Sequence, residues 1–211
     1  MRYSREHKQE THARIVRKAS VRLREKGAHG IGVADLMKEA GLTHGGFYAH
    51  FNSRDALVIE AFAYAMDRSI EHWRKMTGET TPEKRLATII DGYLSPTHRD
   101  DPGHGCAITS LGAEIAREGP KTRRAFTAKV EQLIDVIADQ IQDVPRKTAR
   151  KQATGLLATM MGTLVLSRIA GSGEFSDEVL QAGREAALER AAAMNPAAMK
   201  PAAKKSRAKA N

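Results

Sequence analysis

VADLMKEAGLTHGGFYAHFNSRDAL, running from Val33 to Leu57, is the stretch that decides the fold. Val33, Leu36, Met37 and Ala40 recur at helical spacing, and Gly41 stops that first short helix. Thr43 is placed to cap a second short helix carrying Phe47 and Tyr48, which Phe51 and Asn52–Ser53 bring to an end. Two short helices around a glycine turn predict a helix-turn-helix, a unit whose second helix lies in the major groove of DNA. Leu36, Met37, Ala40, Leu42, Phe47 and Phe51 supply the small core that fixes the crossing angle. Gly45 and Gly46 keep bulk away from the start of the second helix, so that its amides can approach a phosphate. The same glycines lower helix propensity, so packing has to hold this helix in place.

Outward from this segment the pattern is all-α, because almost nowhere does a β-branched or aromatic run alternate with period two. Upstream, Ile15, Ala19 and Leu23 mark a helix over residues 7–26, stopped by Gly27. Downstream, six helices are expected. One covers residues 54–76; the next is capped by Thr81, with Pro82 at its first position, and reaches Leu94. Ser95–Gly105 reads as a loop; helices then carry Ile108–Ile115 and Phe126–Ile141, a long apolar helix runs from Pro145 to Ala170, and the last spans residues 175–193. The spacing thus predicts a three-helix DNA-binding unit over residues 1–53 and a six-helix body over residues 54–195. Residues 196–211 are Ala, Lys and Pro without apolar periodicity and are expected to form a basic disordered tail.

Composition limits the function classes. With 211 residues and 41% apolar side chains, the chain can fill one or two cores. It has no uninterrupted apolar run of membrane-spanning length and no signal-like N-terminus, so the expected place is the cytoplasm, with no membrane partner. One cysteine excludes a disulfide framework and a cysteine-built metal site. The net charge of +9 divides unevenly, at +5 for residues 1–53, −1 for residues 54–195 and +5 for residues 196–211. A basic end on a near-neutral body points to a polyanionic partner.

The segment resembles the TetR-type (TetR/AcrR-like) bacterial transcriptional regulators. It carries their Ala40–Gly41 turn, Thr43, Gly45–Gly46, the aromatic-rich Phe47–Tyr48–Ala49–His50–Phe51, and Arg54–Asp55–Ala56–Leu57. The likeness is strong over residues 11–57 and architectural up to about residue 193. It departs at Gly32, where many members have Ser or Thr, at Arg22, usually apolar, and at Phe47, usually Leu or Ile. The resemblance implies a homodimeric repressor that binds a pseudo-palindromic double-stranded operator and is released by a small-molecule effector. It implies that Tyr48 points its hydroxyl at a phosphate, that Ala49 and His50 face base edges, and that Arg54 binds phosphate. His44 is either a DNA contact or a solvated surface residue, and Thr43 a helix cap, a phosphate ligand, or both.

For the body, Met66, Ile70, Trp73, Tyr93, Leu94, Ile108, Leu111, Phe126, Val130 and Met160 could line a mostly apolar effector cavity or simply pack as core. Cys106 stands at a helix start, on the face of Ser110, Ala113 and Arg117, as a structural cysteine or an oxidant or electrophile sensor. His98, His104 and Asp100–Asp101 are too irregularly spaced for a metal site, and no cofactor motif or catalytic pair is present. A dimer interface is expected on the last two helices, from Leu156, Leu157, Met160, Leu164, Val165, Ala182, Ala186 and Ala187. Two other classes stay open: an all-helical carrier or enzyme, and a protein that binds DNA without sequence preference.

Overall fold

The computed structural model describes residues 5–195, so the expected tail at 196–211 lies outside the described residues. Nine α-helices occur among them: α1 (Arg5–Lys26), α2 (Val33–Glu39), α3 (Arg54–Gly78), α4 (Arg85–Tyr93), α5 (Pro96–Asp100), α6 (Ala107–Ile115), α7 (Pro120–Ala138), α8 (Arg146–Ala170) and α9 (Glu174–Met194). Two 3₁₀ segments, His44–Ala49 and Pro82–Lys84, complete the chain. The fold is all-α, with an N-terminal helix-turn-helix arrangement leading into a helical bundle.

The N-terminal unit forms because α1 turns Ile15, Ala19 and Leu23 inward, all nearly inaccessible, against α2 and α3. Its outer edge is tied to α2 by Arg22, which donates to Glu39 at 2.6 Å and to Glu25 at 2.8 Å. The departure at Arg22 therefore makes an inter-helix ion pair where an apolar contact was expected. Helix α3 starts at a true cap: Ser53 Oγ accepts from the Ala56 amide at 3.1 Å. Its first half buries Leu57, Val58 and Ala61, and farther along Phe62 stacks on Phe126 of α7 with ring centroids 3.5 Å apart. One helix thus belongs to both units.

Helices α8 and α9 form an antiparallel pair joined at Gly171–Ser172–Gly173, where φ values of +77° and +137° require glycine. The pair approaches closely enough that any side chain at Gly183 would run into Thr163.

Four expectations need correction. The second helix of the helix-turn-helix is 3₁₀, not α, and Thr43 makes no side-chain cap; two glycines in six residues leave too little propensity for an α-turn. Thr81 likewise makes no cap, and the turn at Pro82–Lys84 is 3₁₀ before α4 begins. The expected loop Ser95–Gly105 contains α5, opened by Ser95, whose Oγ accepts from the His98 amide at 3.2 Å with Pro96 in the first helical position. Finally, α8 is by length and composition apolar enough to cross a membrane, with a mean hydropathy of 1.4 over 18 residues. Thr, Gly, Ser and Arg168 interrupt its apolar residues, so no uninterrupted apolar run of that length exists. The same helix supplies core residues to the bundle against α7 and α9, so the apolar composition serves packing within the chain.

Candidate functional site

The turn of the helix-turn-helix is built by backbone geometry. Gly41 sits at φ +74°, Leu42 N–H donates to Met37 O at 2.9 Å and Gly41 N–H to Lys38 O at 3.0 Å. This paired closure ends α2 and aims the following segment across it. Leu36, Met37, Ala40, Phe47 and Phe51 are buried, and Leu42 is half-buried against them. Phe47 and Phe51 stack at 5.4 Å, and His12 of α1 stacks on Phe51 at 4.5 Å while its Nε2 meets Glu60 at 2.6 Å.

The outer side of the 3₁₀ segment presents Thr43, His44, Gly45, Tyr48 and Ala49 to solvent, with Gly46 half-buried. Tyr48 is 70% exposed, an aromatic residue that its own chain leaves uncovered. Two of the residues expected here face elsewhere. His50 is half-buried, with its ring tilted against those of His12 and Phe51 and its Nδ1 inaccessible and without a hydrogen-bond partner. Three residues per turn align position 50 with the buried Phe47, which is why this imidazole turns inward. The Arg54 guanidinium donates to the carbonyl of Ala28 and, at 3.5 Å, to that of Ile31, fastening the α1–α2 loop to the start of α3. Its Nη1 lies 3.3 Å from His29 Nδ1, so part of the guanidinium is engaged within the chain.

Behind this unit lies a cleft of about 600 Å³ bounded by α1, α3, the α4–α6 region and Leu133 of α7. Of the expected cavity residues, Trp73 and Tyr93 line it, and Cys106 lies beside them in the lining. Met66, Ile70, Leu94, Leu111, Phe126 and Met160 are instead buried in the core, and Ile108 and Val130 are half-buried away from the cleft. The lining is more polar than the sequence suggested, with Arg17, Arg24, Arg68, His72, His98 and Asp101 among it. Helical periodicity found the buried faces but could not show that residues from separated segments converge on one space.

His98 organises the inner wall. Its Nε2 accepts the Cys106 amide at 2.8 Å, so the ring proton is on Nδ1, which donates to Tyr93 O at 2.7 Å. Burial pushes the His98 pKa down, and nearby Arg168 and Arg24 add to this, while the Tyr93 carbonyl and Asp101 oppose it. In the unfolded chain the imidazole takes up its proton near pH 6.5; the folded protein resists it. The stabilisation is therefore full above that pH and is lost as pH falls through the folded-state value. Thermal melts are expected to shift downward from pH 7.5 to about pH 5, and His98→Gln to flatten that shift. A parent-like pH dependence in His98→Gln would remove His98 from the explanation. Cys106, expected on a polar face, is buried at the N-cap of α6 and lines the cleft. Among the described residues no cluster of three His, Cys, Asp or Glu is arranged to hold a metal.

The C-terminal end of α1 is tied to the far side of the cleft. Arg24 Nη1 donates to Gly105 O at 2.9 Å, and the Ala28 amide to Glu114 of α6 at 2.6 Å. The α8–α9 pair also differs from expectation. Leu156, Leu157, Met160, Leu164 and Ala187 are buried within the chain's own bundle, whereas Val165 is half-buried and Ala182 and Ala186 are exposed. The uncovered apolar side chains are Leu166 at 59%, Ile169 at 77% and Phe175 at 67% exposure. Residues 158, 162, 166 and 169 of α8 and 175, 179, 182 and 186 of α9 follow helical spacing along one outer face, all exposed except the half-buried Val179.

Residues 15–61 match the model of the bacterial regulatory proteins, tetR family. An uncharacterized HTH-type transcriptional regulator of Mycobacterium tuberculosis is 27% identical over 165 residues, spanning 74% of this chain and 83% of that protein. Among solved structures, a TetR transcriptional regulator from Chloroflexus aurantiacus superimposes with a TM-score of 0.73 at 24% identity, covering 87% of this chain and 95% of that one. The reduced form of E. coli NemR gives a TM-score of 0.72 at 19% identity, over 85% and 96%.

Proposed function

Because this chain belongs to the TetR/AcrR family of helix-turn-helix regulators, we propose that it represses transcription by binding a pseudo-palindromic operator as a homodimer, and releases it when a small molecule fills the cleft. Residues 1–53 face DNA in this reading, and residues 54–195 hold the cleft and the dimer face. The observation that carries it is the exposed Tyr48, set beside Thr43, His44, Gly45 and Ala49 on a segment whose inner side is sealed by Phe47. A phenol donates to a phosphate oxygen, while Ala49 offers its methyl to a thymine methyl. His50 and Arg54 act in this reading as supports, the first under the 3₁₀ segment and the second across the α1–α2 loop. Two such segments about 34 Å apart meet successive major grooves on one face of the duplex.

Release follows from the position of α1. Arg17, Ser20, Val21 and Arg24 of this helix line the cleft, and its other side packs on the helix-turn-helix. A molecule that displaces α1 in the cleft also displaces the segment on the DNA, altering the spacing that the operator requires.

Selection of bound duplexes from a random library supplies the operator for the test. Tyr48→Phe keeps the ring and removes the hydroxyl. It is expected to weaken binding to selected and random duplexes alike by about ten- to a hundredfold, since a hydrogen bond to a charged group is worth about 1.5–3 kcal/mol. Parent-like binding by a folded Tyr48→Phe would dismiss the phosphate contact.

A further inference from the structure

Two groups at the inner end of the cleft have chemistry left unspent. Arg24 is only 8% exposed, and its guanidinium donates to two backbone carbonyls, Ser20 O at 2.8 Å and Gly105 O at 2.9 Å. Among the described residues no carboxylate bonds directly to it; Asp101 and Glu25 act on it only at longer range, so its guanidinium is buried without a contact ion pair. Tyr93 is 3% exposed, and its hydroxyl has no partner of full hydrogen-bond geometry, although the Cys106 and Thr109 side chains lie within reach of it. Arg24 and Tyr93 meet at Gly105–Cys106, on the cleft wall.

The remaining lining has the same bias. Arg17 and Arg68 add positive charge from α1 and α3, Arg68 pairing with Glu71 at 2.7 Å, and the one carboxylate in the lining, Asp101, pairs with His104 at 2.9 Å. Trp73 and Leu133 give the cleft an apolar wall. Charged donors, a free hydroxyl and an indole suit a ligand with an acidic end and a flat apolar body.

We propose that the cleft takes an aromatic organic anion, whose acidic group pairs with Arg24 and accepts a hydrogen bond from the Tyr93 hydroxyl while its ring system lies against Trp73. This rests on reading the cleft as the effector site and adds the chemical class of the effector. The anion supplies the contact ion pair that Arg24 lacks among the described residues. It also pulls on α1 through the residue that ties this helix to Gly105.

Trp73 is the only tryptophan of the chain, so its emission reports on this cleft directly. The probes are anilinonaphthalene sulfonate and N-phenyl-naphthylamine, which share an aromatic body and differ in the acidic group. Titration of the full-length protein is expected to quench Trp73 with both, with the sulfonate binding about tenfold tighter. Arg24→Gln should remove that advantage and leave the neutral probe unchanged. Tyr93→Phe guards against misfolding in Arg24→Gln: it keeps the buried ring and removes only a hydroxyl whose contacts with Cys106 and Thr109 fall short of full hydrogen-bond geometry, so its melting temperature should stay near the parent's while sulfonate affinity falls severalfold. Equal binding of the two probes, or sulfonate affinity untouched in both folded variants, overturns the anion proposal and leaves the cleft standing as a neutral ligand's site. Absence of Trp73 quenching by either probe overturns the effector reading as well.

Discussion

Phe47→Ala is expected to remove about 3–5 kcal/mol from the protein, the usual cost of a large-to-small change at a buried aromatic position. The cost should fall at the high end, because Phe47 holds a segment that cannot hold itself. Its 3₁₀ helix has six residues, two of them glycine, and no side-chain cap. Phe47 is 2% exposed and stacks on Phe51, so its ring is the main apolar anchor between the segment and the hydrophobic interior. Urea denaturation followed by circular dichroism should show the midpoint falling, and binding to selected and random duplexes should vanish together. Phe47→Leu, which restores most of the volume, should recover most of both. A Phe47→Ala midpoint within error of the parent would mean that the segment is held by something other than this ring.

Ile169→Glu is expected to leave the fold intact and abolish the dimer. The residue is 77% exposed, and surface changes of this kind usually alter stability by less than about 0.5 kcal/mol. On the open outer face of α8 and α9, which we take as the dimer face, it would however place a carboxylate among Leu166, Phe175 and Ala182 and their symmetry mates in a four-helix contact. Light scattering should move from twice 23.1 kDa to 23.1 kDa, with unchanged circular dichroism. Operator affinity should fall toward that for random DNA, a gap of about 10³–10⁷ for specific binders, because one half-site can no longer recruit the other. A dimeric Ile169→Glu would move the interface off this face. The contrasting substitution Leu156→Ala lies inside the chain's own bundle and should lower stability first.

The difference between Ile169 and Leu156 also shows where sequence reading stops. The core of the helix-turn-helix was legible because its apolar residues are few and stand against polar neighbours: Leu36, Met37, Phe47 and Phe51 have no competing face. Helix α8 is apolar nearly all round, so periodicity cannot say which side turns to α7 and α9 and which stays open. His50 and Arg54 were assigned outward by likeness, and in the structure both are half-buried with contacts to their own chain. A 3₁₀ repeat drew one inward, and nearby carbonyls captured the other. The polar cleft was invisible for a different reason. Arg24, Tyr93 and Leu133 are far apart in the chain, and nothing in their local patterns announces a shared space. Pro96 and Ser95 did carry the signal for α5, a cap followed by a first-turn proline, but five residues give no periodicity to read.

The bond network between α1 and the α5–α6 loop has a genetic consequence. A methyl group at Gly103 would press on Glu25 and Val21 of α1, and one at Gly105 on Arg168 and His98. Loss of the Glu114 carboxylate would free the Ala28 amide. In a reporter strain carrying the operator, alleles at Gly103, Gly105 and Glu114 would therefore score as promoter-control mutants, some deaf to inducer and others constitutive. On the proposed function none of them lies on the face assigned to the duplex, and a map of such alleles along the chain would trace the hinge between the two units.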